Sequence, residues 1–133
     1  MPKIAAFILF SLIITACAAQ PARASTSIQA ALSDSAIQPA LWRIPAGQDI
    51  TLNVANTGKG NHSWVLLKDP PTEPFSTDDE LNMIFQVTLA PAETRTVVFR
   101  APAAPGEYSV TSSLPGDLEK GMVARVLVVQ PGY

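Results

Sequence analysis

The feature that most limits how this chain can fold is its punctuation. From residue 27 to residue 130, short segments rich in valine, isoleucine, threonine and leucine alternate with clusters of Pro, Gly, Asn and Asp. That spacing is the pattern of an all-β domain, because each segment has strand length and each break carries residues that turn the backbone. The expected strands are Ser27–Leu32, Leu41–Ile44, Asp49–Ala55, His62–Lys68, Met83–Leu89, Thr94–Arg100, Gly106–Ser112 and Val123–Gln130. Pro45-Ala46-Gly47-Gln48, Ala90-Pro91-Ala92-Glu93 and Ala104-Pro105-Gly106-Glu107 are expected turns, with proline fixing φ and glycine admitting positive φ where it is present.

Alternation within the strands gives each one a buried face. In Asp49–Ala55, Ile50, Leu52 and Val54 fall on one side and Thr51, Asn53 and Ala55 on the other, and Val97 and Phe99 divide from Val98 in the same way. Eight short strands cannot bury such faces in one flat sheet, so two packed sheets or a barrel are required, and a β-sandwich is the economical solution. Residues Asp69–Asn82 lack the pattern and hold Pro70-Pro71 and Asp78-Asp79-Glu80, which reads as a surface excursion with one helical turn around Thr77–Met83, capped by Thr77. The 133 residues suit one such domain, with no internal repeat.

The N-terminus follows a different logic. Lys3, the apolar run Ile4–Ile14 and Thr15-Ala16 before Cys17 have the layout of an export signal, and the run is short for a membrane span. Ile14-Thr15-Ala16-Cys17 resembles a bacterial lipobox, in which a small residue precedes a cysteine that becomes lipid-modified and forms the new N-terminus. The competing readings are an ordinary signal cut after Ala22-Arg23-Ala24, before Ser25, and an uncleaved anchor with Cys17 as a buried apolar residue. Cys17 is the only cysteine, so the exported domain can form no internal disulfide.

The expected organisation is a signal peptide over residues 1–16, a lipidated Cys17 and flexible tether over residues 17–27, and the domain over residues 28–133. Membrane lipid is then the partner at Cys17, since each buried acyl methylene contributes about 0.8 kcal/mol and two or three chains hold stably. The protein would be anchored to the outer face of a bacterial membrane, in the periplasm or at the cell surface. Removing the signal leaves eight basic against eleven acidic side chains and no basic run, so nucleic acid is not an expected partner.

Several elements, taken in order, carry a family resemblance. These are Ile44-Pro-Ala-Gly-Gln48 before a strand, Val54-Ala-Asn56 with a loop to His62-Ser63, and Leu89-Ala-Pro-Ala-Glu93 before Val97-Val-Phe99. Pro105-Gly-Glu-Tyr108 follows, and Gly121-Met122 opens a valine-rich last strand. From about Ile37 to Val129 the chain resembles cupredoxins, the blue-copper proteins, particularly auracyanin-like and plastocyanin-like domains. The resemblance implies an eight-stranded Greek-key sandwich with a metal position at one end. His62 stands at that family's first histidine position and Met122 at its methionine position, while Ser112 falls where the cysteine belongs and Asp117 where the second histidine belongs. Ser113 competes with Ser112 in the alignment, and neither is a thiol. His62 is the only histidine in the chain.

What this implies is a degenerate copper site whose surviving donors are His62, Met122 and Asp117. Blue-copper chemistry needs a thiolate, and a serine hydroxyl is not deprotonated at neutral pH as a thiol can be. No cofactor is therefore expected, and copper is admitted only outside the type 1 form. Each residue also has a plainer reading: His62 as a hydrogen-bonded or half-exposed strand start, Met122 as packing, Asp117 as a solvated turn residue after Pro115-Gly116. Trp42 and Trp64 are expected in the core; an exposed Trp64 or Leu114 near the metal position would instead suggest protein docking. No nucleophile elbow, calcium loop or phosphate-cradling glycine loop accompanies these residues, so catalysis is not expected. The leading expectation is a binding or accessory module, with a role in a membrane or electron-transfer complex and an unknown protein partner. The alternative is weak or atypical copper handling, or electron transfer, through His62 and Met122.

Overall fold

The computed structural model describes residues 23–132, so Cys17, the export signal and most of the tether lie outside the described residues. Nine strands and one short helix form two sheets packed face to face. The strands are β1 (Ser27–Leu32), β2 (Ile37–Gln38), β3 (Leu41–Pro45), β4 (Asp49–Asn56), β5 (His62–Leu67), β6 (Met83–Leu89), β7 (Thr94–Arg100), β8 (Gly106–Thr111) and β9 (Val123–Val129), and α1 is Thr77–Leu81. One sheet has the order β2-β1-β4-β7 and the other β3-β9-β8-β5-β6. Two pairs are parallel, β1 with β4 and β3 with β9, and the rest are antiparallel.

The expected eight strands are all present within a residue or two of their predicted ends. The ninth, β2, is a two-residue edge strand that no alternation could announce, and it pairs Gln38 with Ala31 at the sheet margin. The helical turn also forms, but Ser76 caps it rather than Thr77. Ser76 Oγ accepts from the Asp79 amide while the Asp79 carboxylate accepts from the Ser76 amide, a reciprocal box that fixes the start one residue earlier.

Alternation becomes burial as the sequence indicates. Ile50, Leu52 and Val54 are fully buried, Phe99 is buried and Val98 is exposed. β5 departs from alternation, because all six of its residues are buried. Its Trp64 sits at the centre of an aromatic group, with ring centroids 5.8 Å from Trp42, 5.6 Å from Phe99 and 6.3 Å from Phe85. Edge and tilted contacts at these distances add to the area that each ring removes from water. Both tryptophans are therefore core residues, and Trp42 Nε1 donates to the Gln29 carbonyl at 2.8 Å. This core holds β5 in place, and with it His62 at the end of the sandwich.

Candidate functional site

His62 opens β5 at the end of the sandwich where β4 finishes, β8 finishes and β9 begins. The loop from β4 to β5 is shaped by Asn56, whose buried side-chain amide donates to the carbonyls of Gly60 and Leu89 at 2.9 and 3.1 Å and whose Oδ1 accepts from the Gly58 amide at 2.9 Å. A buried amide satisfied on both sides makes a rigid bracket. The turn after β1 brings in Asp34, whose Oδ1 accepts from the backbone amides of Lys59 and Gly60 at 2.8 and 3.2 Å. Gly58 permits this approach: a Cβ there would lie 2.5 Å from Asp34 Oδ1 and 2.9 Å from His62 Nε2.

The imidazole is held on both sides. His62 Nε2 lies 2.9 Å from Asp34 Oδ1, and Nδ1 lies 2.7 Å from Asp117 Oδ2. An ionised carboxylate only accepts, so two of them on the two ring nitrogens favour the form in which both donate, the imidazolium. Burial works against that charge, but the hydrogen bonds and charges of Asp117 and Asp34 outweigh it and raise the pKa of His62 above its ordinary 6.5. On the other side, the hydrogen bond from His62, followed by those from the Gly60 and Lys59 amides, lowers Asp34 to about 2.

Asp117 Oδ2 carries a second donor, the hydroxyl of Ser112 at 2.6 Å. Ser112 Oγ in turn accepts from the Ser63 amide at 3.0 Å and lies 3.3 Å from Ser63 Oγ, which also accepts from the Ser113 amide at 2.8 Å. The result is a continuous chain of polar contacts, Asp34 to His62 to Asp117 to Ser112 to Ser63. In a Ser-His-Asp triad the serine gives its proton to an imidazole nitrogen, and here Ser112 gives its hydrogen bond to a carboxylate instead.

Sequence-predicted site residues are thus partly gathered. His62, Ser112 and Asp117 converge; Met122 is fully buried within the apolar core, tied to Asp117 by a backbone hydrogen bond of 3.2 Å. Asp117 is not a solvated turn residue: it is 4% exposed, because its carboxylate turns inward to two donors, and the neighbouring Leu118 is buried as well. Asp34 and Ser63 were missed. Asp34 is signalled only by a Ser-Asp-Ser turn after a strand and Ser63 only by its place beside His62, and nothing local ties Asp34 to a histidine 28 positions later. Among the described residues no group of three or more His, Cys, Asp or Glu side chains is arranged to hold a metal ion, since the two carboxylates lie on opposite sides of the ring.

The fold has parallels among known proteins. A family model described as a cupredoxin-like domain matches residues 4–124. The chain belongs to the cupredoxin-like family. Among solved structures, this cupredoxin is similar to reduced auracyanin from the photosynthetic bacterium Roseiflexus castenholzii, with 27% identity, 80% of this chain and 99% of that chain covered, and a TM-score of 0.68. Auracyanin A of Chloroflexus aurantiacus, described as a "blue" copper protein, is 25% identical over 77% of this chain and 98% of its own, with a TM-score of 0.63. Reduced rusticyanin, at 18% identity over 80% and 82% of the two chains and a TM-score of 0.54, shares the fold. A comparison with curated proteins finds no match.

Proposed function

We propose that this cupredoxin-like protein is a membrane-tethered, extracytoplasmic lipoprotein without a complete type 1 copper site, acting as a binding or accessory module, including in a membrane or electron-transfer complex. The observation that carries the reading is the double engagement of His62: both ring nitrogens face carboxylates at hydrogen-bond distance, so neither offers a lone pair. A type 1 site takes two imidazoles and a thiolate with a weak axial thioether. The folded domain offers one imidazole, with a carboxylate against each ring nitrogen, and a Ser112 hydroxyl in place of a thiol. These residues do not fit that ion.

The alternative, copper handled through His62 and Met122, asks the ion to displace a proton held by a buried carboxylate and leave Asp117 without its partner. Nothing in the geometry favours it. Catalysis is not part of this reading, because the carboxylate that accepts from Ser112 is itself paired with His62 and no imidazole nitrogen faces the hydroxyl. Anchoring rests on the lipobox at Cys17, and among the described residues no helix is long and apolar enough to cross a membrane.

The deciding experiment adds Cu(II) and then Cu(I) to the domain from Ser25 onward and measures stoichiometry, with His62→Ala as the control. The reading expects no stoichiometric binding and no intense blue absorption. A one-to-one complex that is lost in His62→Ala would replace it with copper handling.

A further inference from the structure

The end of the sandwich opposite His62 carries its own pattern, set by strand direction. β5 runs from His62 to Leu67 and β6 starts at Met83 beside Leu67; β4 begins, and β7 and β9 finish, at that same far end. The chain enters the domain there. Arg23 and Thr26 line a shallow depression with Pro45, Gln48 and Gly132, and the Thr26 carbonyl accepts from the Thr51 amide at 2.8 Å. A second groove at this end is lined by Lys68, Leu81, Met83, Ile84, Pro102 and Tyr108. The Gly47 amide donates to the Pro102 carbonyl at 3.0 Å, which joins the two regions.

One part of this far end, around α1 and the start of β6, is apolar where it faces outward, while the Asp49–Arg100 pair at the β4 and β7 ends is exposed and charged. Leu81 is 82% exposed, the most exposed large hydrophobic side chain among the described residues, and Ile84 beside it is 40% exposed. Ala103, Ala104 and Pro105 stand exposed on the adjoining turn. α1 ends on Leu81, so a rigid capped turn presents that side chain to solvent. An ordered apolar knob in water costs free energy unless something covers it.

We propose that the Leu81–Ile84 surface is a bilayer-contacting face, which rests on the reading that Cys17 is acylated. Only Ala18–Ala22 separate Cys17 from Arg23, a length that spans at most about 20 Å even when fully extended. A leash that short keeps the entry end at the membrane surface and gives Leu81 a high effective concentration of lipid. With Asp78 and Glu80 exposed beside Leu81, and Lys68 the only cation lining the groove, the face suits zwitterionic headgroups. The His62 cluster then points away from the membrane, toward whatever the module binds.

The test uses the full acylated chain purified from membranes and reconstituted into phosphatidylcholine vesicles that carry spin-labelled lipids as quenchers. Leu81→Cys and Pro115→Cys variants, each labelled with a fluorophore, report the two ends; acylation occupies the sulfur of Cys17, so the introduced thiol is the one that reacts. Both sites are exposed loop or helix-end positions outside the core. Severalfold stronger quenching at position 81 than at position 115 is expected. Equal quenching at the two positions, or none at position 81, overturns the proposal. The intact mass of the same preparation separates the two readings: an acylated protein unquenched at position 81 overturns the bilayer face alone, and an unacylated protein overturns the tether and this face together.

Discussion

At the scale of single residues, the two carboxylates that reach His62 from different parts of the chain favour its charged form, and the consequences are measurable. Asp117 and His62 are both buried, so Asp117→Asn leaves an imidazolium with one partner and should cost about 3 kcal/mol in denaturant unfolding. Asp34→Asn should cost less, because the Asp34 side chain is 48% exposed. The pH dependence follows from the same contacts. With the folded-state pKa of His62 above 6.5, its ion pairs contribute fully below that value and lose their contribution as pH rises through the raised one. Asp34, held at about 2 against an ordinary 3.8, contributes above 3.8 and loses that contribution as pH falls towards 2. Melting temperature should therefore fall on the alkaline side of 6.5, and the fall should be smaller in His62→Gln. Gly58→Ala should push Asp34 off the ring and lower the pKa of His62, read by proton NMR. His62, Ser112 and Asp117 were legible in the chain through their place in a family pattern. Asp34 was not, because its role exists only once β1 and the β4–β5 loop lie side by side.

Among the elements, turns decide more than strands. Ala92 has φ of 62°, left-handed for a residue with a Cβ, and its amide donates to the Asn56 carbonyl while the Asn56 amide donates to the Glu93 carbonyl. That turn thus braces the strand that leads to the site. Ala92→Gly relieves the steric cost, offset in part by unfolded-chain entropy, and should stabilise the domain by about 0.5–1 kcal/mol in chemical denaturation. Asn56→Ala removes three hydrogen bonds made by a buried side chain, a loss of about 2–3 kcal/mol by the same measurement. Strands such as β4 and β7 were legible because alternation and buried faces coincide. β2 was not, since two residues carry no period, and the α1 cap shifted by one residue because Ser76 and Thr77 both have capping chemistry and only the reciprocal bond to Asp79 distinguishes them.

For the whole molecule, a sandwich whose polar cluster is held by its own side chains needs no ion to hold the His62 end together. A bound metal would stabilise the native state in proportion to its affinity. Melting temperature should accordingly be unchanged by a chelator or by added copper, as read by calorimetry on the domain. The fold itself was readable because turn chemistry, alternation and family pattern all agree. Which end of the sandwich receives the entering chain was not readable, since that depends on strand direction in the assembled sheets. At the centre of the molecule's polar cluster, His62 is expected to carry a proton on each ring nitrogen, and the chain's single histidine makes the measurement direct. Nitrogen-15 NMR of the imidazole should find both ring nitrogens protonated, with a midpoint above 6.5, and no change on adding copper. A neutral ring with one bare nitrogen that shifts or broadens when copper is added would contradict the account.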